Sequence, residues 1–236
     1  MRFSKSLKGP GSNPTLSPFQ LAATEYTVAR RKMVEEQLKP RGIQDPRVLE
    51  VMQKIPRHWF VQDALVPQAY NDSPLNIGHG QTISQPYTVA LLAQSLFLKG
   101  DEEILEIGTG CGYQTAVLSS LAKKIYSIER LSPLLMMARN HLKRLELKNV
   151  ILKLGDGSLG WPERAPFDAI VAAAVSPEVP MPLLQQLKLG GRLVLPIQRG
   201  SKQYLISYQR LEAGYQEQVI QECRFVKMVG SHAFGK

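Results

Sequence analysis

Apolar positions near the start of the chain recur at helical spacing. Residues 25–39 predict a helix that ends at Pro40. Its apolar face consists of Val28, Met33, Val34 and Leu38. A second helix is expected to begin at Asp45-Pro46, because Asp is a favoured N-cap and proline is tolerated in the first helical turn. Pro56 ends this helix, so this part of the chain is predicted to be helical.

From Gly100 onward, short apolar runs alternate with helical segments. The predicted strands cover residues 104–107, 125–129, 150–154, 169–173, 192–197, 204–209 and 218–226. The predicted helices cover residues 114–122, a segment that begins at Ser132, and residues 181–188. This alternation predicts an α/β fold with a doubly wound, mostly parallel seven-stranded sheet of the Rossmann-like kind. The last two strands have no helix between them and are expected to pair antiparallel.

Composition divides the chain of 236 residues into three parts. Residues 1–24 are rich in Ser, Pro and Gly and predict a flexible tail. Residues 25–99 combine the N-terminal helices with a long loop region, and residues 100–236 form the α/β core. We expect one continuous domain from residue 25, because a chain of this length can bury a single core.

The formal net charge is +9, from 29 Lys and Arg against 20 Asp and Glu. Part of it is terminal, since residues 1–24 hold no acid and residues 199–236 hold six Lys or Arg against three Glu. This basicity fits either attraction to an anionic partner, such as an acidic peptide or a nucleic acid, or simple solubility. No zinc-finger spacing, aromatic RNA-binding strand or basic recognition helix is found in the sequence, so we expect no nucleic-acid partner.

The remaining composition bears on compartment and metal binding. No apolar run approaches the roughly 18 to 20 residues of a membrane span, and the N-terminus has no secretory h-region. The two cysteines, Cys111 and Cys223, give no disulfide framework and suit a reducing compartment. We therefore expect a cytoplasmic protein without membrane contact. The four histidines have no metal-ligand spacing with cysteines or acids, so no metal is expected.

The first predicted strand ends in the glycine-rich turn Gly108-Thr109-Gly110-Cys111-Gly112. Glycines let the backbone bend sharply and approach a ligand, and doubly wound sheets bind ligands at the carboxyl ends of their strands. A dinucleotide fingerprint would place its third glycine at Tyr113. Glu129 closes the second strand, where a carboxylate can accept hydrogen bonds from ribose hydroxyls. The alternative is that these glycines only shape the turn.

Two motifs carry a family resemblance. The glycine turn, in the context Leu105-Glu106-Ile107 before it and Tyr113-Gln114 after it, is similar to motif I of S-adenosylmethionine-dependent methyltransferases. The block Gly80-Gln81-Thr82-Ile83-Ser84-Gln85-Pro86 resembles a more specific signature, that of the protein-L-isoaspartate O-methyltransferases. Further similar pieces are Asp72, Ser127-Ile128-Glu129-Arg130, Gly155-Asp156-Gly157, Gly190-Gly191-Arg192 and Arg224-Phe225-Val226. The resemblance covers residues 28–228.

The resemblance implies an enzyme of protein repair. S-adenosylmethionine would be the cofactor, S-adenosylhomocysteine its product, and the free carboxylate of L-isoaspartyl residues in damaged proteins and peptides the methyl acceptor, with repair through a succinimide. The implied cofactor-binding residues are Glu106, Gly108, Thr109, Gly110, Gly112, Glu129, Arg130, Asp156 and Gly157. The implied substrate-binding residues are His79, Ile83, Ser84 and Val226. Ser84 is implied to be the catalytic residue, and we expect a monomer.

Some of these residues have structural alternatives. Ser84 can also cap the helix that begins near Pro86, and Asp156 can cap a helix after the third strand. His79 lies inside the signature region and can serve either role. Cys111 lies near a helix N-terminus, but a small residue that fills a tight loop explains it better than a nucleophile.

The chain departs from the family pattern on the substrate side. The fourth strand ends in Ala172-Ala173-Ala174 without the usual threonine, and Gln198 and Lys227 replace a glycine and a proline. Three other functions stay open. The basic termini allow methylation of a small molecule or an RNA, and the altered strand end allows a non-catalytic module that recognises isoaspartyl sites. An NAD-dependent dehydrogenase is disfavoured by Tyr113.

Overall fold

A computed structural model of the chain describes residues 26–235. The tail predicted over residues 1–24 lies outside this range, so its flexibility stays a prediction. The α-helices within the range are α1 (Thr27–Lys32), α2 (Pro46–Lys54), α3 (Pro86–Ser95), α4 (Tyr113–Ser119), α5 (Ser132–Arg144) and α6 (Met181–Gln185). None of the helices in the described part of the chain has both the length and the apolar character to cross a membrane.

Most of the strands belong to one large sheet. The strands are β1 (Leu75–Gly78), β2 (Gln81–Ile83), β3 (Glu103–Ile107), β4 (Lys124–Glu129), β5 (Val150–Leu154), β6 (Phe167–Ala172), β7 (Leu187–Arg199), β8 (Lys202–Leu211) and β9 (Gly214–Cys223). A seven-stranded sheet has the order β5-β4-β3-β6-β7-β8-β9. Neighbouring strands from β5 to β7 are parallel, whereas β8 pairs antiparallel with β7 and with β9. The predicted α/β fold is confirmed, including its antiparallel end.

The boundaries of β7 and β9 differ from the prediction. β7 begins at Leu187, inside the segment predicted to be helical through residue 188, and it continues through the predicted turn at Gly190-Gly191. The two glycines are part of a bulged strand, because the register with β6 shifts between Phe167 and Ala169. β9 runs from Gly214 to Cys223, so the prediction of residues 218–226 was wrong at both ends.

β1 and β2 form a separate hairpin that the sequence pattern did not predict. Leu75 pairs with Ile83 and Gly78 with Gln81, which leaves His79 and Gly80 as a two-residue turn. Both turn residues have positive φ, 55° and 68°, as the tightest hairpin turns require. The hairpin delivers the chain to the start of α3.

The first predicted helix is α-helical only over α1. Met33–Leu38 forms a π-helical turn that follows it directly. Met33, Val34 and Leu38 are buried as predicted, but Val28 is 60% exposed, so its predicted place on the apolar face is wrong. The wider π-helical turn rotates the later residues relative to α1.

The core fills both faces of the large sheet. Successive residues of one strand alternate between the faces. Ile104 and Ile125 pack in the cluster that includes α2 and α3, whereas Leu105 and Tyr126 pack in the cluster that includes α6. The buried strands therefore hold the loops at their carboxyl ends on a rigid support.

Candidate active site

A cavity opens at the carboxyl ends of β3 and β4. β4 lies on one side of β3 and β6 on the other, so the strand order reverses here, where doubly wound sheets bind ligands. Its walls come from the end of the β1–β2 hairpin, the loop after β3, the loops after β4 and β6, and the segment after β9. The ranges that contribute are 81–84, 107–111, 128–131, 173–174 and 226–229, together with Gly157.

The turn after β3 brings main chain rather than side chains to the cavity. Gly108 and Gly110 line it and have φ values of 90° and 56°, which are unfavourable for residues with a Cβ atom. Gly112 lies behind them. A Cβ atom there would be 3.2 Å from the Ala138 Cβ, so this glycine lets the turn pack closely on α5. The cofactor role predicted for Gly112 therefore has no cavity contact to support it.

Gly157 forms part of the cavity wall directly after β5. A Cβ atom at this position would lie 2.3 Å from Cγ2 of Ile107, closer than two carbon atoms can approach. Ile107 is itself buried in β3, so it has little freedom to move away. Only glycine fits here without displacing the end of β3.

Glu129 presents an anchored carboxylate at the end of β4. Its Oε2 accepts a hydrogen bond from the Gly110 N–H at 2.9 Å, and its Oε1 accepts from the N–H groups of Arg130 and Leu131 at 2.8 and 2.9 Å. A carboxylate has about four acceptor positions, so one stays available. Because Glu129 lines the cavity and is only 7% exposed, a hydroxyl that uses this position must belong to a molecule inside the cavity.

Glu106 lies beneath the glycine turn and is fully buried. Its Oε2 accepts from the hydroxyls of Thr115 and Ser127 at 2.5 and 2.6 Å, and its Oε1 accepts from the side-chain amide of Gln114 at 3.1 Å. Burial raises the pKa of Glu106 to about 7, and the three hydrogen bonds oppose this shift. The Thr109 hydroxyl joins the network through the Ser127 hydroxyl at 2.7 Å. Glu106 thus connects β3 with β4 and α4 and supports the turn from below.

Asp156 is not among the residues that line the cavity. Its carboxylate accepts hydrogen bonds from the Ser158 N–H, the Ser158 hydroxyl and the Ser231 N–H at 2.9, 2.7 and 2.7 Å. It therefore caps the 3-10 turn Gly157–Leu159, which is the structural alternative for this residue. The predicted contact with adenine stays a prediction. Arg130, in contrast, does line the cavity, with its side chain exposed.

Ser84 lies on the cavity wall between the end of β2 and the start of α3. Within residues 26–235 its hydroxyl has no hydrogen-bond partner. The N-terminus of α3 is capped by Asp72, whose Oδ1 accepts from the Tyr87 N–H at 2.9 Å. The helix-capping alternative for Ser84 is therefore wrong, and the hydroxyl is available to a ligand.

The predicted substrate residues divide into two groups. Those that line the cavity are Ile83, Ser84 and Val226. His79 lies in the exposed hairpin turn and is not part of the wall, so its substrate role stays a prediction. Val226 is held in place because its carbonyl accepts from the Val175 N–H at 2.8 Å, while the Met228 N–H donates to the Val175 carbonyl at 2.7 Å.

Sequence reasoning missed several wall residues. Leu131 and Leu134 form an apolar wall at the start of α5. Their apolar character directly after Glu129 was the available signal. Lys227 also lines the cavity, and its departure from the family pattern marked it in advance.

Cys111 lies in the cavity wall but is only 3% exposed. Burial raises the pKa of its thiol to about 11, so the thiol is protonated near neutral pH. This result supports the interpretation that Cys111 fills the loop.

A family model described as protein-L-isoaspartate(D-aspartate) O-methyltransferase matches residues 29–233. The chain belongs to this family. The prediction of the family is therefore confirmed, and with it an S-adenosylmethionine-dependent methyltransferase fold. The match spans both the N-terminal helices and the large sheet.

Bacterial members of the protein-L-isoaspartate O-methyltransferase family are similar over nearly their full length. The protein of that name from Geobacter metallireducens is 50% identical over 214 residues, which cover 89% of this chain and 98% of the relative. The one from Trichlorobacter lovleyi is 52% identical over 211 residues, with 89% of this chain and 97% of the relative covered.

A solved structure of a family member from Plasmodium falciparum, described as a protein-L-isoaspartate O-methyltransferase in complex with S-adenosyl-L-homocysteine, has the same fold. The TM-score is 0.75 at 25% identity, and the match covers 85% of this chain and 98% of that one. The cofactor product is thus bound by a protein of this family.

The cavity of this isoaspartate methyltransferase family member fits such a cofactor. Main chain at Gly108 and Gly110 leaves room for a ligand to approach, and a Cβ atom at Gly157 would obstruct the wall. Glu129 has a free acceptor position for a ribose hydroxyl, and Leu131 offers an apolar surface for a purine ring. The residues present therefore fit the ribose and the apolar face of the purine ring of an adenosyl group.

Proposed function

We propose that this chain transfers a methyl group from S-adenosylmethionine to the free carboxylate of L-isoaspartyl residues in damaged proteins and peptides. The observation that carries the proposal is the position of Ser84. Ser84, whose hydroxyl has no partner within residues 26–235, lines the cavity that also contains Glu129 and the glycine turn. A cofactor site and a free hydrogen-bond donor for an acceptor thus share one cavity.

The acceptor needs orientation more than activation. A carboxylate is ionised at neutral pH, so no general base is required to make it nucleophilic. When bound, S-adenosylmethionine supplies an electrophilic methyl group. Ser84 donates a hydrogen bond to one carboxylate oxygen and leaves the other to attack. Holding reacting groups in line is worth on the order of 7–11 kcal/mol, which makes positioning the main contribution of the protein.

Ile83 and Val226 exclude water from the acceptor. Both are apolar and line the same cavity as Ser84, Ile83 from the hairpin and Val226 from the segment after β9. An anion that loses part of its water shell becomes more reactive, and the Ser84 hydroxyl replaces part of that shell with one hydrogen bond. Glu129 would hold the ribose of the cofactor in the same cavity.

Repair follows the methylation without further help from the enzyme. The backbone nitrogen of the residue after the isoaspartate attacks the methyl ester, methanol leaves, and a succinimide forms. Hydrolysis of the succinimide returns part of the material to normal aspartate, and the isoaspartate that also forms can be methylated again.

A comparison of two peptides tests the proposal. An isoaspartyl peptide and the matching aspartyl peptide are incubated with labelled S-adenosylmethionine, and base-labile methyl ester is counted. We expect label in the isoaspartyl peptide only. Equal labelling of both peptides, or labelling of an RNA or small-molecule acceptor in place of either, would contradict the assignment.

We also propose that the protein acts as a monomer in the cytoplasm. The cavity walls all come from one chain, so a second copy is not needed to complete the site. Cys111 and Cys223 are both free, which suits a reducing compartment. Sedimentation velocity at micromolar concentration tests the first point, and fractionation of cells tests the second.

A further inference from the structure

The direction of the Ser84 hydroxyl depends on the two residues beside it. On one side, Ile83 is buried and paired with Leu75 in the β1–β2 hairpin. On the other side, Gln85 begins the entry into α3. Ser84 itself makes no side-chain hydrogen bond within residues 26–235, so nothing but its neighbours holds it.

Asp72 binds Gln85 and Tyr87 at the start of α3. Its Oδ1 accepts from the Tyr87 N–H at 2.9 Å, and its Oδ2 accepts from the Gln85 side-chain amide at 3.2 Å. Its side chain is 17% exposed, so water competes little for these bonds. The bond to Tyr87 places a negative charge at the N-terminus of α3, where the helix dipole favours it.

Arg41 contacts both Asp72 and Tyr87. Its guanidinium forms an ion pair with Asp72 and stacks on the Tyr87 ring, with Cζ 3.5 Å from the ring centroid. The Tyr87 hydroxyl donates to Oε1 of Gln221 in β9 at 3.0 Å. The start of α3 is therefore fixed at several points, and Asp72 is common to most of them.

We propose that Asp72 is a positioning residue for the reaction: it fixes the segment after Ser84 so that the hydroxyl is directed into the cavity. Leu75 pairs with Ile83 before Ser84, and Asp72 binds Gln85 after it. The short stretch that contains Asp72 and Leu75 thus holds Ser84 from both sides. Asp72 itself does not line the cavity and touches no ligand there. The inference rests on the function proposed above, since it concerns the orientation of the methyl acceptor.

Asp45 provides a matched control. It caps α2 from the N-cap position, with Oδ1 accepting from the N–H groups of Arg47 and Val48 at 2.8 and 3.3 Å, and it lies outside the cavity wall. Asp72→Ala and Asp45→Ala therefore each remove one helix cap, and Asp72→Ala also removes the bond to Gln85 and the ion pair with Arg41. If these contacts served stability alone, both variants would lower Tm and leave kcat unchanged.

The experiment measures kcat and KM for an isoaspartyl peptide, S-adenosylhomocysteine affinity by calorimetry, and Tm. We expect both variants to lower Tm, but only Asp72→Ala to lower kcat, by at least about tenfold, because a misplacement of about 1 Å can cost about a hundredfold. S-adenosylhomocysteine affinity should stay within about twofold in both, since neither residue contacts that part of the cavity. Equal kcat in the two variants, or a loss of S-adenosylhomocysteine affinity as large as the loss of kcat, overturns the proposal.

Two further variants keep the test decisive if Asp72→Ala folds poorly. Asp72→Asn retains the acceptor for the Tyr87 N–H but loses the acceptor for Gln85, so kcat should lie between wild type and Asp72→Ala. In a Ser84→Ala background, either change at Asp72 should have little further effect on kcat, because the positioned hydroxyl is gone. An undiminished further loss in that background overturns the proposal.

Hydrogen exchange separates this inference from the proposed function. The Tyr87 amide should exchange faster in Asp72→Ala than in wild type, while the amides of Arg47 and Val48 respond only to Asp45→Ala. A wild-type chain that methylates no isoaspartyl peptide contradicts the proposed function, yet this exchange pattern still supports the role of Asp72 in fixing the segment. Unchanged exchange at Tyr87 overturns that role.

Discussion

The cavity has a cofactor half, formed by the glycine turn and Glu129 above Glu106, and an acceptor half, formed by Ile83, Ser84 and Val226. The two halves are built differently. On the cofactor side, the carboxylates of Glu106 and Glu129 each accept three hydrogen bonds from the protein. On the acceptor side, Ser84 has no partner within residues 26–235, and its position is set from outside by Asp72. The cofactor is always the same molecule, so hydrogen bonds within the protein can fix the cofactor half before the cofactor binds. The acceptor belongs to many different proteins, and the acceptor half leaves a hydrogen-bond donor free for it.

Ser84→Ala should produce the largest change. It removes the Ser84 hydroxyl from the acceptor half, so kcat for an isoaspartyl peptide should fall by about a hundredfold, as when a single positioned donor is removed elsewhere. Affinity for S-adenosylhomocysteine should stay within about twofold, because the internal bonds of the cofactor half are intact. Steady-state kinetics and calorimetry measure the two quantities.

Ser120→Ala, an exposed serine outside the cavity wall, is the control and should change neither quantity. A Ser84→Ala variant with normal kcat and weak cofactor affinity would reverse the comparison between the two halves.

Gly157→Ala should damage the cofactor half. The added Cβ atom would lie 2.3 Å from Cγ2 of Ile107, and overpacking of this kind costs about 1–3 kcal/mol. We expect S-adenosylhomocysteine affinity to weaken by about tenfold, which corresponds to about 1.4 kcal/mol. Calorimetry measures it. The double variant Gly157→Ala, Ile107→Ala removes the clashing atom and should recover part of the affinity, and no recovery would refute the steric explanation.

Glu106→Gln should have the smallest effect, one that depends on pH. Burial raises the pKa of Glu106 from 4.5 to about 7, so the folded state binds a proton that the unfolded state has released. The stability due to this proton is fully present below about pH 4.5 and is lost as pH rises through about 7. The variant does not titrate here and keeps the shape of the side chain. The free energy of unfolding of wild type relative to the variant should therefore fall by about 1 kcal/mol between pH 5.5 and 6.5.

Urea unfolding at several pH values measures this difference. A wild-type curve that stays parallel to that of Glu106→Gln over the same range would show that Glu106 is ionised in the folded state.

Much of the large sheet could be predicted because its buried strands are continuous apolar runs. The site residues at strand ends followed from the same logic: Gly108, Gly110 and Glu129 line the cavity because parallel strands end at one edge. Ser84 was predicted from the resemblance, and its place on the cavity wall agrees with it. The strand-end predictions needed only local sequence and topology, whereas that of Ser84 needed the resemblance.

The remaining features depend on contacts between distant parts of the chain. The β1–β2 hairpin has strands of four and three residues, and the alternation at Leu75-Asn76-Ile77 is too short to identify a strand from the sequence. Asp72 precedes Tyr87 by 15 residues in the sequence, so its role as the cap of α3 could not be predicted from the residues next to that helix. Gly112 matches the loop motif but serves packing, and the sequence alone does not separate these two uses of a glycine.

The hydrogen bonds between Val175 and the segment at Val226 and Met228 have a consequence for the growing polypeptide. Two parts of the cavity wall, residues 81–84 and 226–229, are more than half the chain apart in sequence. A nascent chain on the ribosome can form the glycine turn and the hairpin early, but it encloses no cavity until residue 229 has emerged. Incomplete translation products of this protein should thus be inert toward both methyl donor and acceptor.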